Sequence, residues 1–154
     1  MPTVRTMMLS SVAVASALLL AACNTTNPNA QNDIATNWSA VADKEWQLAM
    51  VSDGDHTLRP MSPVLASVNF ATGGKVSGST GCNRYFGTYK QSGSKLDLSP
   101  LGSTRMMCVE DAMAIEDAFT NAMAKVTHWH KDNSTLVLDD TDGKAILKFE
   151  PIRP

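Results

Sequence analysis

The sequence predicts an α+β fold that is mostly β: a small antiparallel curved sheet or barrel of about seven or eight strands, packed with one amphipathic helix. Three observations carry this. Short runs alternate apolar and polar residues with a period of two. Those runs are separated mostly by tight-turn residues, which join antiparallel neighbours. A single stretch has the helical period instead. The 154 residues fit one domain, and an apolar content of 44% is enough for a packed core.

The elements follow in order. "EWQLAMV" places Trp46, Leu48 and Met50 on one face of a first strand. "SDGDHT" supplies a turn. "PVLASVNFA" puts Val64, Ala66, Val68 and Phe70 on one face of a second strand, and "TGG" turns the chain into Lys75–Ser77. "RYFGTYKQ" is the next strand, in which Gly87 marks a bulge or a close backbone approach. After "SGS", "KLDLS" aligns Leu96 and Leu98. From Glu110 to Lys125 the period changes: Ala112, Ile115, Phe119, Ala122 and Met123, with Val126 beyond, recur at spacings of mainly three and four. Glu110 and Asp111 open this helix and Lys125 stands near its end, as the macrodipole favours. "VTHWHK", "TLVLDD" and "KAILKFE" are three final strands joined by "DNS" and "DTDG".

The N-terminal segment obeys different rules. Arg5 is its only charged side chain, and "MMLSSVAVASALLL" has the length of a signal-peptide core, short for a membrane span. It ends in "LLAAC", which resembles the lipobox of bacterial lipoproteins. That resemblance implies removal of residues 1–22 and acylation of Cys23. An aspartate after the lipidated cysteine signals retention in the inner membrane; Asn24 stands there, so the outer membrane is expected, with the domain facing the periplasm. Residues 23–37 read as a polar, flexible tether spanning about 20 Å, and 38–154 as the folded domain, whose first ordered residue is expected near Trp38 or Lys44. The net charge of −2, with no basic patch, argues against a nucleic-acid partner.

Cys82 in "GSTGCNRYFGTY" is readable as a nucleophile, a metal ligand or half of a disulfide. If Cys23 carries lipid, Cys82 and Cys108 remain as an even pair in an oxidising compartment. A bridge between them closes a loop of about 27 residues, worth roughly 3–4 kcal/mol in the chain-entropy model. No C-x-x-C motif is present, and no motif context assigns a histidine as base. "GSTGCN" is not a phosphate-binding loop; its glycines and Asn83 read as tight-turn residues tolerating positive φ.

"SGSTGCNRYFGTY" and "LGSTRMMC" together resemble the paired signatures of the META domain, the heat-shock protein HslJ-like family. "EWQL" matches the start of that family's pattern, and Glu116 matches its helix glutamate. The resemblance spans about Lys44 to Phe149. It implies a small antiparallel barrel-like domain wrapped against a helix, often on a bacterial lipoprotein. It also implies an association with stress response and no established catalytic activity.

The remaining candidates divide between chemistry and structure. His128 and His130 share a strand face and, with His56, would suit zinc; the alternative has Trp129 inward and both histidines in water. Arg105 either anchors an acidic ligand or partner or pairs with Glu110, Asp111 or Glu116. Arg105 and Asn83 are the candidate contacts to a ligand or partner. The methionines read as adaptable core filler. Glu116 and Asp117 are adjacent on the helix and do not share a face. No catalytic residue, metal or cofactor is expected. The function expected is a non-catalytic envelope lipoprotein that binds a protein or an apolar ligand. A pilot-like chaperone is the first alternative, and an apolar groove beside the helix would favour it. A cysteine or zinc hydrolase is the second.

Overall fold

The computed structural model describes residues 37–152. The signal segment expected at residues 1–22, the lipidation expected at Cys23 and nearly all of the expected tether lie outside the described residues. A short 3-10 turn, Trp38–Ala40, precedes ten strands and one α-helix: β1 (Glu45–Asp53), β2 (His56–Leu58), β3 (Ala66–Ala71), β4 (Lys75–Thr80), β5 (Arg84–Ser92), β6 (Lys95–Leu98), β7 (Gly102–Ser103), α1 (Glu110–Met123), β8 (His128–Asp132), β9 (Thr135–Asp139) and β10 (Ala145–Pro151).

Eight strands close a ring in the order β1-β10-β9-β8-β6-β5-β4-β3, with β3 returning to β1; β2 flanks β1 and β7 flanks β5. Every pairing is antiparallel. The weakest seam is β6–β8, where Lys95 faces His128 and backbone bonds from Leu96 N to Thr127 O and from Trp129 N to Ser94 O complete the closure. Closure leaves no long unpaired edge in the ring.

The two mouths of this barrel are filled by different parts of the chain. Phe119 of α1 meets Tyr85 of β5 and Phe149 of β10, at ring distances of 5.4 and 6.3 Å. Those two strands stand opposite each other in the ring, so Phe119 fills the barrel from wall to wall. At the other mouth Trp38 packs against Phe70 of β3, Tyr89 of β5 and Trp129 of β8, with ring centroids 5.2, 5.5 and 4.8 Å away. Its indole N–H donates to Tyr89 Oη at 3.2 Å, which donates to Ala71 O at 3.0 Å. Phe70, Leu96, Leu136, Leu138 and Leu147 are fully buried between the two plugs, so the interior is packed with side chains.

Several local expectations shift. Trp46 and Leu48 face inward, but a bulge between Leu48 and Met50 advances the register of β1 by one residue. Val51, not Met50, therefore takes the next core position. The helix stops at Met123, so Lys125 lies outside its last turn, although Val126 is still buried. No side chain caps the helix start at Val109. Gly87 causes no bulge: the Leu101 side chain lies 2.7 Å from where its Cβ would be. The short strands β2 and β7 fall in stretches whose sequence reads as turn and loop.

Tyr85 shows how tightly β3, β4 and β5 are drawn together. It is buried, and its hydroxyl donates to Ser67 O at 2.8 Å. Desolvation, with the nearby Glu45 charge adding to it, pushes the hydroxyl's pKa well above its ordinary value, so the group remains a donor. Tyr85→Phe is expected to cost about 1–2 kcal/mol, because the Ser67 carbonyl loses its side-chain partner. Urea unfolding checks this, with a lower midpoint and an unchanged slope expected.

Candidate functional site

The Phe119 mouth gathers the residues that the sequence marks. The β4–β5 turn passes through Gly81, whose φ of +97° suits glycine, and delivers Cys82 and Asn83. Cys82 is bonded to Cys108, two residues before α1, with the Cα atoms 5.9 Å apart. This bridge ties the helix start to the turn where a capping side chain is lacking. With both sulfurs bonded, neither cysteine offers a thiolate or a metal ligand.

Asn83 does more than turn the chain. It is buried at 4% exposure. Its amide nitrogen donates to both Glu116 carboxylate oxygens, at 3.0 and 3.1 Å, and to Met106 O at 3.2 Å. Its carbonyl accepts from Thr104 Oγ1 at 2.9 Å and from Met106 N at 2.7 Å. Thr80 Oγ1 accepts from Asn83 N at 2.8 Å and bonds Glu116 at 3.0 Å. One side chain therefore joins the turn, the loop before the helix and the helix itself. The role expected for Asn83 as a contact to a ligand or partner is corrected: every hydrogen-bonding position of its amide is used internally. Its place is not a positive-φ turn position either.

Arg105 follows the opposite course. It is exposed, and among the described residues it pairs with none of Glu110, Asp111 or Glu116. The pairing considered for it is not made, because Glu116 is held by Asn83 and Thr80 and the loop carries Arg105 outward.

Met106 and Met107, next to Arg105 in the chain, are 58 and 89% exposed, and Met61 and Val109 are 76 and 70% exposed, which overturns the reading of these methionines as core filler. A groove of about 330 Å³ runs beside α1, with Leu58, Met61 and Val64 on one side and Val109, Ala114 and Ile115 on the other.

The histidines lie elsewhere. Trp129 points inward, 1% exposed. His130 Nδ1 lies 2.8 Å from Asp139 Oδ2, and His128 Nδ1 lies 2.9 Å from Thr127 Oγ1. Both are half-buried with local partners rather than simply facing water. His56 sits exposed on β2, outside the ring, and no three His, Cys, Asp or Glu side chains among the described residues converge as a metal site.

The META domain family profile matches residues 39–151, from the 3-10 turn to the end of β10. The chain belongs to the META domain family. No curated protein matches it. Among solved structures, one of a protein from Burkholderia xenovorans, determined by NMR, is 25% identical over 97% of this chain and 99% of its own, with a TM-score of 0.63. A DUF4847 family protein from Bacteroides vulgatus shares the fold at 13% identity, with 76% of this chain and 98% of its own covered and a TM-score of 0.55. In this META domain the "GCN" and "STRMMC" signatures lie on the two sides of one buried hub, with Asn83 reaching Thr104 and Met106. Sequence reading noted Asn83 and Glu116 separately. Their contact spans 33 residues, and nothing local announces it.

Proposed function

We propose that this chain is a non-catalytic envelope lipoprotein of the META type that binds a protein partner through the groove beside α1. It is anchored by acyl chains at Cys23, faces the periplasm from the outer membrane, and supports envelope integrity under stress. The observation that carries the reading is the groove, lined by exposed Met61 and Val109, with exposed Met106 and Met107 on the adjoining loop that the hub fixes. The packed interior supports a site on the outside of the barrel. The bonded state of Cys82 and Cys108 supports a role without thiolate chemistry. A pilot-like role, escorting another envelope protein, is the second reading, and the same apolar groove favours it over passive attachment.

Photo-crosslinking in intact cells tests the proposal. A crosslinker at Ala114 or Val109 is expected to give a discrete adduct, and one at exposed Asp142 none. Cys23→Ser is expected to release the protein from the membrane fraction. Absence of an adduct from both groove-side positions, or equal adducts from Asp142, would sink the binding role. Retention of the Cys23→Ser protein in the membrane would sink the lipid anchor.

A further inference from the structure

A second surface lies at the Trp38 end of the barrel, and it stands independently of the groove. We propose that His128 and His130 of β8 form an exchangeable site for a divalent transition-metal ion, with Cu(II) held most tightly. The strand period supplies the pair: residues two apart share a face. Trp129 between them is buried, donates from its indole N–H to Gly93 O at 2.9 Å and packs on Trp38. Both histidines therefore sit on the outer face of a strand whose position is fixed from inside.

Each imidazole is engaged through the same ring nitrogen. His130 Nδ1 lies 2.8 Å from Asp139 Oδ2, and His128 Nδ1 lies 2.9 Å from Thr127 Oγ1. Neither Nε2 has a partner among the described residues. In the neutral ring the Asp139 carboxylate accepts the Nδ1 hydrogen bond, which places the lone pair of His130 on Nε2. The Thr127 hydroxyl does the same for His128 when it accepts. Asp139 is 8% exposed, so the orienting carboxylate belongs to the wall of the site. The β9–β10 turn forms the far side. Asp140 Oδ1 accepts from Asp142 N and Lys144 N at 3.0 and 2.9 Å. That turn brings Asp142 to a pocket of about 470 Å³ that both histidines and Asp139 also line.

The donor set selects the ion. Imidazole nitrogen suits copper, nickel and zinc rather than calcium or magnesium, and Cu(II) heads the divalent order. No group of three His, Cys, Asp or Glu side chains converges among the described residues, so water fills the remaining positions and the ion can exchange. An anion is disfavoured, because Asp139 and Asp142 line the same pocket. The neighbouring lysines leave it free. Lys144 Nζ donates to Gly54 O at 3.1 Å, Lys131 lies over the Trp46 ring, and Lys95, across from His128 on β6, is not among the lining residues.

Calorimetric titration of the full chain in detergent with Cu(II) alone tests this, with electron paramagnetic resonance on the loaded protein. A single Cu(II) is expected to bind, and its spectrum should carry the nitrogen coupling of two imidazoles. The chain has three histidines, so each can be removed in turn. His128→Gln and His130→Gln should each weaken binding about tenfold or more, and His56→Gln should leave it unchanged. Asp139→Asn should weaken it about tenfold while keeping the two-nitrogen spectrum at saturation. A purely structural Asp139 would lower stability and leave the affinity alone. The histidine variants change partly exposed side chains, and unchanged circular dichroism confirms that they fold. Affinity that survives the double change His128→Gln/His130→Gln, or an equal loss from His56→Gln, overturns the proposal. So does a spectrum without nitrogen coupling. Unchanged affinity in Asp139→Asn overturns the carboxylate's positioning role.

Discussion

Gly78→Ala is expected to cost at least about 3 kcal/mol of stability, the upper part of the range for overpacking, because the added methyl has no space and no flexible neighbour to displace. A Cβ on Gly78 would lie 2.1 Å from Ser67 O and 2.8 Å from Ser67 C, both backbone atoms, and 2.9 Å from Tyr85 Oη. Gly78 faces Val68 across the β3–β4 ladder, so relief requires the two strands to part. The third contact comes from the Tyr85 hydroxyl, which reaches over Gly78 to bond Ser67 O. Chemical unfolding of Gly78→Ala, alone and with Tyr85→Phe, separates the two contacts. The backbone clash remains in the double variant, so Tyr85→Phe should recover only a minor part of the loss. A Gly78→Ala midpoint equal to that of the parent would refute the close approach.

Asn83→Leu is the second large effect, at about 3–4 kcal/mol. Leucine keeps the branched four-atom skeleton of asparagine, though it is bulkier, and removes every hydrogen bond made by the Asn83 side chain. Glu116 then keeps only Thr80, and Met106 N loses its acceptor in a partly buried setting. The Cys82–Cys108 bridge still holds the loop, so the variant should fold and its stability should be measurable. Adding Glu116→Leu is expected to restore at least about 1 kcal/mol, because an apolar pair is cheaper to bury than a carboxylate left with Thr80 as its one side-chain donor. Strict additivity of the two changes would mean that Asn83 and Glu116 are not energetically coupled.

The contrast between these two sites shows what the sequence exposes. Period-two alternation located Trp46, Leu48, Ala66, Val68 and Phe70, because each faces a continuous core. The helical period located Ile115, Phe119 and Met123 for the same reason. Alternation failed at Met50, where a bulge depends on pairing with β10 and leaves no local trace. The hub was illegible for a related reason. Asn83 beside a cysteine among glycines has turn chemistry, and only contacts 21 to 33 residues away give it another role. The exposed methionines were misread because sulfur-containing side chains pack well in cores; that a loop holds Met106 and Met107 outward is decided by the bonds of Met106 to Asn83.

The Trp38 plug sets the size of the cooperative unit. Ring closure begins at Glu45, and the family profile begins one residue after Trp38. A recombinant domain trimmed to either boundary would retain all eight ring strands yet leave one end of the barrel unstoppered, with Tyr89 short of a hydrogen-bond donor. In thermal melts such a truncation should unfold earlier than a chain starting at Asn37. Protease trimming or mechanical load arriving from the N-terminal side would meet the barrel's interior first at this indole, so the start of the described chain and the core are mechanically coupled.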